Sequence, residues 1–328
     1  MNFLDSFKNE EVLLIGAGPM AISHAQVLKG MNLKFIVVGR GEQSAKLFQE
    51  ETNINVITGG IDKWLSENNV YPKYAIVAVT GTQLGKVTRT IIKHGIKNIL
   101  LEKPGGLDNI DIKSVAEKAK KSNINIFLGY NRRFYASALK AKEIIEEDGG
   151  VNSFYFEFTE WPHTIVPLKK DPEVKKRWLL HNSTHVIDLA FYLGGEPEEI
   201  HSYSRGGFDW HPDGTIFTGA GVSKDGALFS YHSNWDAPGR WGVEILTKKH
   251  RLIFRPLEKL QIQKLKSVAL EEVEIDDQLD IKYKHGLYRQ LKAFLEGDSS
   301  NFINIHQHAT RLEVFNIIRH GGEFSKNS

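Results

Sequence analysis

The stretch that decides the fold reads Val12-Leu13-Leu14-Ile15-Gly16-Ala17-Gly18-Pro19-Met20-Ala21. Its first four residues predict a short buried strand, because an apolar run that ends at a glycine is typical of one. Pro19 suits the first turn of a helix, and the helical pattern continues from Ala21 to residue 28 and ends at Gly30. The stretch therefore predicts a strand, a tight glycine turn and a helix in immediate succession.

The alternation of strand and helix continues to residue 128. Further strands are predicted at 33–38, 56–57, 74–79, 96–101 and 124–128. The clearest helix between them covers 108–121, with Asp108 as its N-cap. Because this alternation predicts right-handed crossovers and a doubly wound parallel sheet, we assign residues 1–128 to an α/β domain.

Gly16, Gly18 and Ala21 form the dinucleotide fingerprint Gly-x-Gly-x-x-Ala. Gly16 permits the tight turn, Gly18 lets the backbone approach a pyrophosphate, and Ala21 lets helix and strand pack closely. The helix N-terminus at Pro19 and Met20 offers unpaired backbone N–H groups to the phosphates. The alternative is a glycine turn that only solves packing, but its place between a strand and a helix favours a dinucleotide-binding domain.

The end of the second strand indicates which nucleotide is bound. NAD enzymes usually place an acidic residue there to hold the ribose 2′-hydroxyl, whereas this chain reads Gly39-Arg40. An arginine can stack on adenine and pair with a 2′-phosphate, and Ser44 and Lys46 are near enough in sequence to help. The alternative leaves Arg40 solvated and assigns the ribose to Glu42. We expect NADP(H) to be favoured over NAD(H).

Lys103 follows the predicted strand at 96–101, in the string Glu102-Lys103-Pro104-Gly105-Gly106. Open α/β sheets bind ligands at the carboxyl ends of their strands. Pro104 pushes Lys103 towards an extended conformation, so that the ammonium group can be aimed at a ligand. A surface lysine that merely ends a strand is the alternative.

Residues 129–328 predict a different kind of domain. Phe154, Phe156 and Phe158 alternate with other residues at a period of two, which gives a strand with one apolar face. More strand-like runs lie at 199–206, 215–222, 226–235, 241–247, 250–255 and 270–275. Strands without intervening helices predict one large, mainly antiparallel sheet in an α+β domain. Two helical segments, 281–296 and 305–318, can pack against either domain.

One helix interrupts these strands, at 183–193, with Ser183 as its predicted N-cap. His181, His185 and Asp188 are spaced by four and three residues, so they share one face if His181 lies in the first turn. Histidines at this spacing can bind a metal. The chain has no Cys and no third ligand nearby in sequence, so we predict no metal. Core packing of His185 and a loop position for His181 are the other interpretations.

Composition sets loose limits on function. A hydrophobic fraction of 41% and a charged fraction of 25% are ordinary for a soluble globular protein. The net charge of +2 gives no general attraction to nucleic acid or membrane, and no apolar run is long enough to predict a membrane span. The absence of Cys excludes disulfides and cysteine nucleophiles. Residues 1–11 lack the pattern of a signal peptide, so we expect a cytoplasmic enzyme.

Four of these motifs together resemble the Gfo/Idh/MocA oxidoreductases, the family of glucose–fructose oxidoreductase and inositol dehydrogenase. They are the glycine turn, the Glu102-Lys103-Pro104 string, the segment Gly129-Tyr130-Asn131-Arg132-Arg133-Phe134 and the His185-x-x-Asp188 helix. The resemblance implies a Rossmann domain followed by an open α/β substrate domain, with the active site between them. It also implies hydride transfer between a nicotinamide and the carbon that bears a secondary hydroxyl or keto group of a sugar.

The resemblance also implies roles for single residues. Lys103 would hydrogen-bond the reacting oxygen, His185 would be the general base because imidazole titrates near neutral pH, and His181 would be a second proton carrier. Glu102 and Thr80 join the cofactor contacts. Candidates for the sugar pocket are Tyr130, Arg132, Glu160, His163, Trp178 and Arg240. We expect a homo-oligomer, a dimer or tetramer, formed through the C-terminal sheet.

Three substitutions depart from the family pattern. His181 stands where an aspartate is common, Ser183 where a glycine is common, and Thr80-Gly81-Thr82 replaces the more usual Thr-Pro-Asn. The missing aspartate keeps open a non-catalytic regulator that senses a sugar or a nucleotide, while the retained Lys103 and His185 favour an enzyme. Reduction of an imine or a pyrrole is a third possibility, which no residue favours.

Five cations lie just before Trp178, at Lys169, Lys170, Lys175, Lys176 and Arg177. Such a cluster is usually a solvated loop. This one leads straight into the segment that contains His181 and His185, and a basic rim attracts anionic ligands. The cluster therefore suggests the hypothesis that the sugar is acidic or linked to a nucleotide.

Overall fold

The structure, a computed structural model, describes Phe7 and residues 10–325. The expectation about a signal peptide in residues 1–11 therefore falls mostly outside the described residues. The chain divides into two compact units, the first formed by Met1–Asn131 with Leu279–Thr310 and the second by Arg132–Gln278 with Arg311–Ser328. Of the two helical segments that the sequence left open to either domain, 281–296 is part of the first unit, and 305–318 is divided between the units after Thr310.

The first unit contains a five-stranded parallel sheet. Its strands are β1 (Glu11–Ile15), β2 (Lys34–Val38), β3 (Tyr74–Val77), β4 (Asn98–Leu101) and β5 (Asn125–Leu128), in the spatial order β2-β1-β3-β4-β5. The helices that alternate with them are α1 (Pro19–Gly30), α2 (Glu42–Thr52), α3 (Ile61–Glu67), α4 (Leu84–Lys93) and α5 (Asn109–Ser122). The strands bury almost continuous Val, Ile and Leu runs, as expected where helices cover both faces of a parallel sheet.

Local signals in this unit are mostly confirmed, with one correction. The carboxylate of Asp108 caps α5 by accepting a hydrogen bond from the backbone N–H of Asp111 at 2.9 Å. The predicted strand at 56–57 is wrong, because Ile57 forms only a single parallel bridge with Val38. That bridge extends the edge next to β2 without forming a sixth strand among the described residues.

The second unit contains a nine-stranded sheet. Its strands are β6 (Ser153–Glu157), β7 (Pro197–Arg205), β8 (Ile216–Ser223), β9 (Leu228–Asn234), β10 (Gly242–Leu246), β11 (His250–Phe254), β12 (Gln261–Lys264), β13 (Glu271–Glu272) and β14 (Gly322–Ser325). Their order is β13-β12-β11-β10-β6-β9-β8-β7-β14. β6 and β9 pair in parallel, and the other neighbouring strands pair antiparallel.

Helices lie before and between the strands of this sheet in the sequence. They are α6 (Ala136–Glu147), α7 (Pro162–Ile165), α8 (Pro172–Lys176) and α9 (Thr184–Gly194), followed near the C-terminus by α10 (Gln278–Lys282), α11 (Leu287–Glu296) and α12 (Ile305–His320). α11 belongs to the first unit and packs against α1. No helix among residues 10–325 combines the length and the apolar character needed to cross a membrane.

The apolar face of the large sheet packs on α9. Phe154 stacks on Phe229 with ring centroids 5.1 Å apart, and Phe156 stacks on Tyr231 at the same distance. Phe191 of α9 meets Phe154 and Phe156 edge-on at 6.1 and 5.4 Å. The alternating phenylalanines of β6 therefore form part of the core that holds α9, the helix of His185, against the sheet.

The predicted fold class is confirmed: a Rossmann-like parallel sheet and a large, mainly antiparallel sheet. Details of the second unit differ from the prediction. The predicted strand at 270–275 is reduced to Glu271–Glu272, and the sequence reading missed β12 and β14. It also missed the short helices α7 and α8, which are too brief to show a helical period.

Candidate functional site

The glycine turn of the first unit fits a bound dinucleotide. Gly16 has a φ of +128°, and a Cβ there would lie 2.2 Å from the carbonyl oxygen of Ala78, so no side chain is tolerated. A Cβ on Gly18 would meet no atom within 4 Å. No side chain of the described residues caps the N-terminus of α1, which begins at the exposed Pro19 with the half-buried Met20. The turn thus leaves backbone N–H groups open to a phosphate.

Arg40 lies exposed at the carboxyl end of β2, where the sequence analysis placed the 2′-phosphate contact. A Cβ on Gly60 would be 3.7 Å from its Cγ, which shows that the stem of Arg40 lies beside the Gly59-Gly60 turn. In the part of the chain that the structure describes, the guanidinium makes no ion pair. Lys46 faces Glu50 at 4.0 Å, and Glu42, the alternative ribose ligand, is exposed in the first turn of α2.

The Glu102-Lys103-Pro104 string is fixed by two histidines within the first unit. Nε2 of the fully buried His24, on α1, lies 2.9 Å from the carboxylate of Glu102. Nε2 of His308, on α12 and also fully buried, lies 2.9 Å from the carbonyl oxygen of Pro104. Lys103 is half-buried between these anchors, and its peptide bond to Pro104 is cis. Glu102 therefore has a structural partner besides its predicted cofactor contact.

Two further predicted residues of the first unit differ in accessibility. Thr80 is exposed just after β3, with its hydroxyl 3.4 Å from that of Thr82, as a cofactor contact requires. Tyr130 is only 1% exposed, and its ring packs on His308 with centroids 5.6 Å apart. This burial favours a role in the core. It does not support the prediction that Tyr130 contacts the substrate directly.

His181 and His185 lie on one helical run in the second unit, both buried at 8% exposure. A π-helical turn, Leu179–Ser183, leads directly into α9. The prediction that Ser183 is an N-cap is wrong, because its backbone is helical and its hydroxyl donates to Glu160 at 2.8 Å. His181 lies in the π-helical turn and not in a loop, which was the alternative interpretation, and such turns often appear at functional sites.

Glu160 is a buried carboxylate behind this run. Its oxygens accept hydrogen bonds from Nδ2 of Asn182 at 2.9 and 3.1 Å and from Oγ of Ser183 at 2.8 Å. Burial raises the pKa of Glu160, and the bonds from Ser183 and Asn182 with the nearby charge of Arg240 oppose that rise. Glu160 thus positions the segment just before His185 and is not open to solvent at 2% exposure.

Four residues form what we call the Arg–Trp cluster: Arg132, Trp161, Arg240 and Trp241. The guanidinium carbon of Arg240 lies 4.6 Å from the ring centroid of Trp161 and 4.7 Å from that of Trp241. Arg132 also stacks on Trp241, at 4.8 Å. The cluster borders both His185, whose ring lies 6.4 Å from Trp241, and His163, which stacks on Trp161 at 5.9 Å.

The structure therefore brings most predicted residues of the second unit together. Glu160 and Arg240 form an ion pair at 3.6 Å, and Trp178, buried at 5% exposure, lies one residue before the π-helical turn. Sequence reasoning missed Trp161 and Trp241, although each directly follows a residue that it had selected. A tryptophan next to a selected polar residue was the available signal.

Asp188 is paired with two arginines. Its buried carboxylate accepts two hydrogen bonds from Arg133, at 2.8 and 2.6 Å, and a third from Arg311. Arg311 also pairs with Glu196. Between residues 10 and 325, no group of three or more His, Asp or Glu side chains could hold a metal ion. The network anchors α9 three residues after His185.

Three cations of the basic cluster before Trp178 have partners close by in the chain. Lys176 and Arg177 both pair with Glu173, at 2.9 and 2.6 Å. Lys175 donates to the carbonyl oxygen of Val166 at 2.7 Å. These local partners reduce the charge that the cluster offers to an anionic ligand.

Comparison with known proteins finds similarity to one family of oxidoreductases. Residues 11–130 match the GFO_IDH_MocA family, described as an oxidoreductase family with an NAD-binding Rossmann fold. This part of the chain is similar to the NAD-binding domain of that family. Myo-inositol 2-dehydrogenase of Thermotoga maritima is 24% identical over 196 residues, which are 57% of this chain and 55% of that protein. The matches span about half the length of the curated relatives.

Solved structures share the fold over nearly the whole chain. An oxidoreductase from Agrobacterium radiobacter, in complex with NAD⁺, L-tartaric acid and magnesium, has a TM-score of 0.77 at 11% identity and covers 96% of this chain and 98% of its own. UDP-N-acetylglucosamine 3-dehydrogenase from Acidithiobacillus ferrooxidans has a TM-score of 0.71 at 15% identity, over 94% and 96%. At these identities the likeness shows the shared architecture.

Proposed function

We propose that this protein is an NAD(P)-dependent oxidoreductase that transfers a hydride between the nicotinamide and a secondary hydroxyl or keto carbon of a sugar or sugar derivative. The observation that carries the proposal is the open glycine turn of the first unit. Gly16 is required by backbone geometry, whereas a Cβ on Gly18 would meet no atom of the described residues within 4 Å. Space at Gly18 beside an uncapped helix N-terminus is what a pyrophosphate needs.

The relatives support the substrate class. Myo-inositol 2-dehydrogenase acts on a cyclitol, and UDP-N-acetylglucosamine 3-dehydrogenase acts on a nucleotide-linked sugar. Both names describe oxidation at a ring carbon that bears a hydroxyl. The cluster of aromatic, cationic and histidine side chains in the second unit suits a sugar, because rings pack on sugar faces and polar groups bind hydroxyls.

The bound nicotinamide supplies the hydride chemistry, and the protein's residues orient the reactants and manage the proton. We assign His185 as the general base that takes the proton from the substrate hydroxyl. Its helix is anchored by Asp188 and by the aromatic core, which holds the backbone of His185 in place.

Lys103 stabilises negative charge on the reacting oxygen, and the two histidine anchors of Glu102 and Pro104 hold its backbone for this task. His181, on the π-helical turn before His185, is the second proton carrier. It takes the place of the aspartate that is common in the family, and only its neutral form can accept a proton.

The choice of cofactor rests on Arg40. Its exposure, its lack of an ion pair among the described residues and the glycine at position 39 support a preference for NADP(H), because a free guanidinium binds a 2′-phosphate in two hydrogen bonds. Calorimetric titration with NADPH and NADH tests this choice.

The test of the function is turnover. Purified protein is mixed with NADP⁺ or NAD⁺ and a panel of hexoses, inositols, uronates and nucleotide sugars, and with the reduced nucleotides and the matching keto-sugars. We expect a change in the near-ultraviolet absorbance of the nicotinamide with at least one substrate. Tight nucleotide binding without any turnover would favour the non-catalytic regulator.

A further inference from the structure

The second unit holds an arginine whose surroundings restrict what it can bind. Arg240 follows Gly239 in the segment between β9 and β10. The indole Nε1 of Trp161 donates to the carbonyl oxygen of Gly239 at 2.7 Å, and the backbone N–H of Arg240 donates to Glu157 at 3.2 Å. These bonds fix both Trp161 and the backbone of Arg240, so the arginine is built into the fold although its side chain is 44% exposed.

Two indoles lie within stacking distance of its guanidinium. Trp161 and Trp241 have their ring centroids 4.6 and 4.7 Å from the guanidinium carbon, which is within cation–π distance for both rings. The N–H groups of a guanidinium lie in its plane and point outward from its edge. A ligand would therefore bind at the edge of the guanidinium, which can donate two parallel hydrogen bonds to a planar oxyanion.

The nearby carboxylate does not use those N–H groups. Glu160 lies 3.6 Å from the guanidinium, beyond hydrogen-bond distance, and its oxygens accept bonds from Asn182 and Ser183. No side-chain hydrogen bond involves the guanidinium of Arg240 in the described part of the chain.

A second donor in the same cluster has no acceptor in the protein. The indole Nε1 of Trp241 is buried, with the residue 7% exposed, and has no hydrogen-bond partner among the described residues. A buried donor without an acceptor is costly, so an acceptor on a ligand would remove that cost. Arg132, stacked on the same indole, adds positive charge.

We propose that Arg240, held between Trp161 and Trp241, is an oxyanion subsite that selects sugars carrying a carboxylate or a phosphate. This inference rests on the proposed function, whose substrate class it narrows. The proposed subsite for the anion is Arg240 and not the basic cluster at 169–177. In that cluster, Glu173 already pairs with two of the cations, whereas the guanidinium N–H groups of Arg240 are available as hydrogen-bond donors.

The test is equilibrium binding to the full chain by calorimetry, without turnover. The matched pairs are D-glucuronate against D-glucose, D-galacturonate against D-galactose, D-glucose 6-phosphate against D-glucose, and UDP-glucuronate against UDP-glucose, each measured with and without NADPH. The first two pairs report on a sugar carboxylate and the third on a phosphate. Comparison of UDP-glucose with glucose reports on the diphosphate.

We expect at least one acid to bind about tenfold to a hundredfold more tightly than its neutral partner, the usual effect of hydrogen bonds to a charged group. Arg240→Gln should remove the difference. Arg240→Lys keeps the charge but should also lose most of it, because an ammonium cannot make the two in-plane bonds. Arg205→Gln, at an exposed arginine on β7, removes one charge elsewhere and should leave the preference intact.

The proposal is overturned if no acid binds more tightly than its neutral partner, or if the preference survives Arg240→Gln. Trp161→Ala uncovers one face of the guanidinium and should lower the preference severalfold, which provides a second variant at a site that is 40% exposed. An acid preference that depends on Arg240 in a protein that never oxidises any sugar would retain the subsite and refute the proposed function. If the protein oxidises neutral sugars and binds the acids with the same affinity, the proposed function is retained and the subsite is refuted.

Discussion

Two neighbouring glycines of the nucleotide turn predict opposite results when each is changed to alanine. A Cβ on Gly16 would lie 2.2 Å from the backbone oxygen of Ala78, at a φ of +128°. Strain of this kind costs about 1–3 kcal/mol and overpacking about as much again, so Gly16→Ala should lower the free energy of unfolding by about 2–6 kcal/mol. Loss of nucleotide binding in that variant would be a consequence of misfolding.

Gly18→Ala isolates the binding function. At Gly18 the φ is −96° and a Cβ meets nothing within 4 Å, so the variant should be as stable as the native protein or slightly more stable. The methyl group would occupy the space through which the backbone reaches the pyrophosphate. We therefore expect the affinity for NADPH to fall by about tenfold or more while thermal stability is kept.

The assay pairs thermal unfolding, followed by circular dichroism, with calorimetric titration of NADPH and NADH. Gly226→Ala is a useful control, because its φ of +82° strains an alanine in a turn of the second unit where a Cβ also meets nothing. It should lower stability without changing the intrinsic nucleotide affinity. A Gly18→Ala protein that binds both nucleotides like the native chain would refute the reasoning and leave the glycine turn with a packing role alone.

Four other changes test the assigned roles. Lys103→Ala and His185→Ala should each lower turnover by about a hundredfold or more while nucleotide affinity measured by calorimetry stays near native. His181→Asp, which restores the common family residue, should keep or raise turnover, and a complete loss would show that His181 has a role of its own. Arg40→Asp should abolish or reverse the preference for NADPH over NADH in the same titration. Burial lowers the pKa of His211 to about 4, so stability should fall as pH drops below about 6.5, by about 2 kcal/mol at pH 5, and chemical unfolding of His211→Gln should show a smaller loss.

Local features of the sequence predicted the first unit well. The strand, glycine turn and helix around Gly16, and the cap at Asp108, depend on residues that are neighbours in the chain. The alternation of strands and helices then leaves few topologies, so the order of the parallel sheet follows. A two-residue run such as 56–57 was too short to be distinguished from a single bridge.

Contacts between distant residues were not available from one sequence. Glu102 meets His24 across 78 positions, and Asp188 meets Arg133 and Arg311 across 55 and 123. Nothing in local spacing shows that these charges are already paired. The π-helical turn before His185 was also hidden, because Ser183 has the residue type of a cap and only the fold reveals its bond to Glu160.

The sequence predicted single residues of the candidate site but not how they are combined. Motifs that follow strands, such as Lys103, and polar residues beside strand ends, such as Glu160 and Arg240, can be selected from the chain. The two indoles that flank Arg240 come from separate segments, one after β6 and one before β10. Their joint effect on one guanidinium depends on β6 and β10 being neighbours in the sheet.

The most direct test of the central claim follows the hydride itself. The protein is incubated with NADP⁺ and with uniformly carbon-deuterated hexoses, uronates and nucleotide sugars, and the reduced nucleotide is examined by mass spectrometry. Our account predicts that the nucleotide gains one deuterium from at least one sugar, and that Lys103→Ala and His185→Ala greatly slow its appearance. Nucleotide that stays oxidised with every sugar, or is reduced without gaining deuterium, would contradict the proposed function.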